Sequence, residues 1–172
     1  MERINIRLLC DPGPARGGGV DAAIPEFHRW IQHNVTDEML IDVVDYRHVP
    51  DGPGVVLIGH DGDYNLNTAG LTYSRKTKHP GSDAEKILDA YSRAAEAARR
   101  FGLTWSEFEV IVNDRIGTPN TDENWRALQA VLSDAFGLEV TRRGEPRSRL
   151  TARVTAKTNL VDLRPRQTAA AR

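Results

Sequence analysis

The sequence predicts an α+β fold: a single mixed β-sheet of about five to seven strands carrying three main helices, in the order β-α-β-β-β-α-β-α-β. Three observations carry this expectation. Short β-branched or alternating runs recur at residues 4–10, 40–46, 55–59 and 108–112. Ser82-Asp83-Ala84-Glu85 is a capping box, in which the Ser hydroxyl and the Glu carboxylate each satisfy a free backbone N–H at a helix start. Thr121, followed by Asp122 and Glu123, opens a second helix where the dipole favours acid.

The elements follow in order. Ile4, Ile6 and Leu8 alternate and read as a strand that runs into a Gly/Pro-rich loop at residues 11–19. Pro25 suits the first turn of a helix whose inner face carries Phe27, Trp30 and Ile31. LIDVVDY and VVLIG are joined by HVPDGPG, a connector suited to a turn or wide hairpin. A polar loop over residues 60–70 then leads to a third strand at 71–74, which completes an antiparallel meander. Behind the capping box, Ile87, Leu88, Tyr91, Ala94, Ala95, Ala98 and Phe101 form one apolar stripe, and Gly102 ends it. After the strand at 108–112, Trp125, Leu128, Leu132 and Phe136 define the last helix, closed by Gly137. The later α-β-α-β half fits a parallel crossover unit. Leu150, Ala152 and Val154 alternate and suggest an edge strand, and residues 164–172 read as a tail.

The chain has 172 residues, enough for one domain with its own core. Hydrophobic residues at 40% and charged residues at 27% place it among globular proteins and not disordered ones. No apolar run approaches the ~18 residues of a membrane span. MERINIRLLC lacks the layout of a secretory signal, and the single cysteine, Cys10, leaves no internal disulfide, so a reducing cytoplasm is the expected compartment. Charge is uneven. Residues 142–172 hold nine basic residues against Glu145 and Asp162, and the rest of the chain holds fourteen basic and twenty-two acidic residues. The expected division is a globular body over residues 1–144 and a basic C-terminal extension over 145–172 that docks a partner. It contains no aromatic residue for base stacking, which argues against nucleic acid without removing a nucleic-acid- or ribosome-associated role.

Two segments concentrate polar chemistry. Arg16, Gly17 and Gly18 lie in the strand-to-helix loop, where backbone N–H groups can approach an anion, although the loop lacks the Lys and Ser/Thr of a phosphate loop. GHDGDYNLN places His60, Asp61, Asp63 and Tyr64 together: His60 as general acid/base, Asp61 or Asp63 as its orienting or metal-binding partner. Its alternating oxygens resemble the start of a calcium loop, but Leu66 and Thr72 stand where that loop needs Gly and Glu. His48 flanks the same connector as His60, so the two can approach, and Arg75 is a candidate anion clamp. No HExxH or Cys/His spacing defines a metal site, and no cofactor is specified. Cys10 reads as a core residue, and Asp42 and Asp45 as carboxylates on opposite strand faces.

FHRWIQ, LIDVVDYRHVPDGPGVVLIGHDGDYNLN and GLTYSRK make the chain, over about residues 24–76, similar to a family of uncharacterised bacterial proteins that share HRWIQ, LIDV-x-DY-x-HV, GPG-x-x-LIGH and G-L-x-Y-x-RK segments. The matching polar positions are His28, Arg29, Gln32, Asp42, Asp45, Tyr46, His48, His60, Tyr64, Tyr73, Arg75 and Lys76. Asp61 departs from the Glu expected after the His. The resemblance implies a shared fold and a shared polar site, not a reaction. The function expected from all this is a ligand-binding or accessory protein that meets a partner, or a second copy, through the tail or a sheet edge. The alternative is a small enzyme, metal-assisted or not, built on His60 with Asp61 and Asp63 and acting on a small anionic substrate.

Overall fold

In the computed structural model, which describes residues 1–11, 19–145 and 147–163, eight strands form one antiparallel sheet and three helices cover one of its faces. The strands are β1 (Ile4–Leu9), β2 (Leu40–Tyr46), β3 (Gly54–Gly59), β4 (Gly62–Asn67), β5 (Gly70–Arg75), β6 (Glu107–Val112), β7 (Glu139–Arg143) and β8 (Leu150–Thr155). The helices are α1 (Ala23–His33), α2 (Asp83–Arg100) and α3 (Asp122–Phe136). Across the sheet the order is β2-β3-β4-β5-β1-β6-β8-β7.

The α+β class and the three helices match the sequence, while the sheet differs in three respects. It has eight strands, one more than the upper expectation, and every pairing is antiparallel, so it is not mixed. The extra strand is β4, inside the stretch expected to be a polar loop. Gly62, Tyr64 and Leu66 point to the core while Asp63, Asn65 and Asn67 point away, a period-2 pattern hidden by residues that also favour turns. The parallel crossover does not form, because β6 pairs with β1 and β7 pairs with β8, both antiparallel. β8 is no edge strand but lies between β6 and β7, so part of the basic segment after residue 144 belongs to the sheet interior and is not an appendage.

Helix ends follow the local chemistry. Ser82 and Glu85 close the capping box of α2, Thr121 accepts from the Asn124 N–H at the start of α3, and Gly137 at φ 65° ends α3 in a left-handed turn. The small residues Ala94, Ala95, Ala97 and Ala98 bring α2 close to β1 and β5. Aromatic contacts tie all three helices to the same face: Trp30 of α1 meets Tyr64, Tyr91 of α2 meets Phe108, and Phe136 of α3 meets both Tyr91 and Phe108. The opposite face has no helix among the described residues. The register sets across it a polar row, Asn65, Thr72, Arg7, Glu109, Arg153 and Thr141. Among the described residues, no helix is long and apolar enough to cross a membrane.

Candidate functional site

The segment between α1 and β2 lays Glu38 under the end of the sheet, on the helix-covered side. There its side chain is fully buried, at 0% exposure. Its carboxylate accepts a hydrogen bond from the Tyr64 hydroxyl and receives Arg93 Nη1 at 3.3 Å. Arg93 Nε in turn donates to Asp89 Oδ2 at 3.1 Å, one turn earlier on α2, and Asp89 also meets Arg75. Tyr73 lies beneath, its ring 4.9 Å from that of Tyr64, with the Arg75 and Arg93 guanidinium groups 5.7 and 6.0 Å from its centroid. A charge taken out of water must be paired to be tolerated, and here two carboxylates and two guanidinium groups alternate.

Two glycines make room for the cluster. A Cβ at Gly62 would sit 2.5 Å from the Tyr73 ring, and one at Gly59 would sit 3.1 Å from Glu38 Oε2. Burial, reinforced by the neighbouring Glu38 carboxylate, holds the Tyr64 hydroxyl well above the ordinary phenol range and raises that of Tyr73, so both remain protonated at any physiological pH. Tyr64 is therefore a hydrogen-bond donor to Glu38 and not a base.

Tyr64, Asp89 and Arg93 form the floor of a small cavity of about 170 Å³. Trp30 and Val35 give it an apolar wall, and Thr36, Asp37, Ser92, Glu96 and Arg100 a polar rim. Arg100 is already held by Glu96 at 2.6 Å and by the Val35 carbonyl at 3.1 Å, above the Trp30 ring. The site thus offers donors and acceptors of both signs, fixed in place, with room for a small polar molecule.

Of the residues singled out in the sequence, Tyr64 and Arg75 enter this cluster, joined by Trp30 and Tyr73. The others disperse. His60 and Asp61 form the two-residue turn between β3 and β4, where His60 Nδ1 lies 3.0 Å from Asp61 Oδ1 and the His60 side chain is 63% exposed. That contact, with help from Thr77, draws the Asp61 carboxyl below its usual range. Asp63 points to the opposite face from Tyr64, where it accepts from Lys76 Nζ at 2.7 Å and from the Gly59 N–H at 3.3 Å. His48 lies in the β2–β3 connection, at the far end of β3 from His60. Six residues at about 3.3 Å each separate the two by roughly 20 Å, so they do not converge. Asp42 and Asp45 take opposite faces, against Ile58 and Val55. Cys10 is buried, and burial pushes its thiol up, away from nucleophilic character. Arg16, Gly17, Gly18 and residues 164–172 lie outside the described residues.

Glu38, Asp89 and Arg93 went unnoticed in the sequence. Asp89 and Arg93 stand four apart on α2, the spacing of an ordinary surface pair, and Glu38 sits in a short charged connector. No group of three or more His, Cys, Asp or Glu able to hold a metal ion occurs among the described residues. No protein-family model matches the chain, and no curated protein matches it significantly.

Proposed function

We propose that the protein is a ligand-binding accessory protein, which holds a small polar molecule above Tyr64 and Arg93 and meets a second copy of itself along the β2 edge. The observation that carries the first half is Glu38. A fully buried carboxylate is a poor way to gain stability, because desolvation offsets much of its pairing. A buried carboxylate that fixes two polar side chains on the floor of an opening pre-organises a binding site. At about 30 Å³ per water-sized group, the cavity takes about five or six such groups. Its charged lining, Arg93 and Arg100 against Asp37, Asp89 and Glu96, fits a neutral or zwitterionic ligand rich in hydrogen-bonding groups better than an anion. The exposed position of His60 supports binding rather than acid–base chemistry at this pocket.

The second half rests on the two sheet edges. β7 carries Glu139, Arg142 and Arg143, charges that discourage strand addition. On β2, Ile41 and Tyr46 are exposed at 55 and 40%, and beside it Met39 and Val49 at 68 and 40%. Antiparallel self-pairing about Val43 sets Asp42 opposite Val44 and not opposite another acid.

Calorimetry and thermal shift with a panel of small polyols, amino acids and amides test the pocket. Ser92→Phe, at an exposed rim position, fills the mouth and leaves the Glu38 contacts alone. A panel member that binds the wild type and not this variant is the expected result. No binding from any member, or binding untouched by Ser92→Phe, ends the reading.

A further inference from the structure

On the uncovered face of the sheet, away from the pocket, four arginines surround an open groove of about 520 Å³: Arg7, Arg115, Arg143 and Arg149. They come from β1, the residues after β6, the end of β7 and the residue before β8. Among the described residues Glu109 is the one carboxylate lining the groove, and Arg153 takes it at 2.9 Å, with Arg7 at 3.6 Å. Arg115, Arg143 and Arg149 are exposed and make no ion pair or side-chain hydrogen bond among the described residues. The β7–β8 turn that sets Arg143 against Arg149 is closely built. Gly144 stands at φ 83°, a Cβ there would lie 2.4 Å from Ser148 Oγ, and Ser148 Oγ donates to the Glu145 carbonyl at 2.7 Å. Three guanidinium groups without an ion pair among the described residues leave their donors free for an anion.

We infer that this groove is a binding site for a small molecule carrying several linked phosphates. Arg143 lies three strand spacings of roughly 4.8 Å from β1 and two residues along β7 from Thr141, the position in register with Arg7, so the two arginines stand about 16 Å apart. One phosphate does not bridge that distance and a short phosphate chain does. Guanidinium forks bind phosphate oxygens two at a time, and the Thr151 hydroxyl lies in the same groove. A nucleic-acid strand fits less well, because no aromatic residue lines the groove among the described residues. The cationic area is also bounded on the same face by Glu107 and Glu139 at one end of the strands and by Asp63 toward β4, where a polymer backbone would run onto carboxylates.

Calorimetry with inorganic tripolyphosphate on the full chain tests the inference, with sodium sulfate at equal ionic strength as the comparison. The expected result is saturable one-to-one binding that sulfate does not reproduce. Arg143→Ala and Arg149→Ala should each weaken it about tenfold, and the double variant about a hundredfold, with unchanged circular dichroism. Arg143→Lys should fall between, since it keeps the charge and loses the fork. Three results overturn the inference: no binding at about 1 mM, affinity indifferent to all four arginine variants, or a 20-base-pair DNA duplex that binds more tightly than tripolyphosphate with the same arginine dependence. Ser92→Phe should leave tripolyphosphate binding unchanged, which separates this site from the pocket on the other face.

Discussion

Tyr64→Phe isolates one hydrogen bond at the centre of the buried cluster. The ring remains, so its edge-on contact with Trp30 at 6.3 Å and its contact with Tyr73 at 4.9 Å persist. What leaves is the hydroxyl that donates to Glu38, a side chain with 0% exposure and no access to replacement water. Arg93 Nη1, at 3.3 Å, is then the carboxylate's remaining donor. Removing one partner from a buried charged group costs about 1.5–3 kcal/mol. For a chain of 172 residues, each kcal/mol lowers the melting temperature by about 2–4 °C, so the expected loss is roughly 3–12 °C. Urea denaturation should show a lower midpoint with an unchanged slope, since the surface exposed on unfolding is the same. Tyr73→Phe is the internal comparison: its hydroxyl is buried without a hydrogen-bond partner among the described residues, so its removal should change stability by less than about 0.5 kcal/mol or raise it. If Tyr64→Phe matches wild type within about 0.5 kcal/mol, or if the two variants lose equally, Glu38 does not depend on Tyr64 and the cluster has been misread.

Gly62→Ala should destabilise by about 1–3 kcal/mol in the same urea assay, because the new methyl meets the Tyr73 ring at 2.5 Å and that ring is pinned by Tyr64, Arg75 and Arg93. The Asp45 carboxyl is held at about 2 by its paired contacts with Arg47, below the ordinary 3.8. A lowered carboxyl pKa gives stability that is present above about pH 4 and lost as pH falls through about 2. Asp45→Asn should therefore flatten the fall in urea midpoint across that acid window and leave the slope near pH 7 unchanged. Ile41→Lys, at a 55% exposed edge position, should abolish a concentration-dependent rise in apparent mass by sedimentation velocity; a wild type that stays monomeric at about 100 μM excludes self-pairing along β2.

Period and capping made the helices legible, because their signals are local. Ser82 with Glu85, and Thr121 before two acids, fix the starts of α2 and α3 through contacts within four residues. Strand existence was legible where β-branched residues dominate, as in LIDVVDY, and obscured where Asp, Asn and Gly occupy the outer positions, as in β4. Strand order was not legible at all. The alternation of Leu150, Ala152 and Val154 announces a strand, but only pairing with residues more than forty positions away puts it between β6 and β7. The same limit governs the site. Tyr64 stood out as part of the polar run GHDGDYNLN and Arg75 as a candidate anion clamp, while Glu38, Asp89 and Arg93 look solvated until the chain closes over them. His60 and Asp61 stood out for the opposite reason: adjacency in sequence brings them together in an exposed turn, and neither lines the cavity over Tyr64.

Residues 63 and 64 are neighbours in the chain, yet the pleat sends Asp63 to the open face and Tyr64 into the buried cluster. The same division recurs on β5, where Ser74 faces out beside Asn5 while Tyr73 and Arg75 face in, and on β6, where Glu109 faces the arginine groove while Phe108 and Val110 face the helices. Each of these strands thus serves two chemically separate surfaces with alternate residues. One surface is small, enclosed and of mixed charge, and the other is broad, open and cationic at one corner. No single ligand can touch both, since the apolar interior and the sheet backbone lie between them. A constellation that draws Asp63 and Tyr64 into one catalytic centre is therefore excluded by the pleat itself. Any chemistry at Tyr64 must draw its partners from α2 and the segment before β2, where Glu38, Asp89 and Arg93 stand.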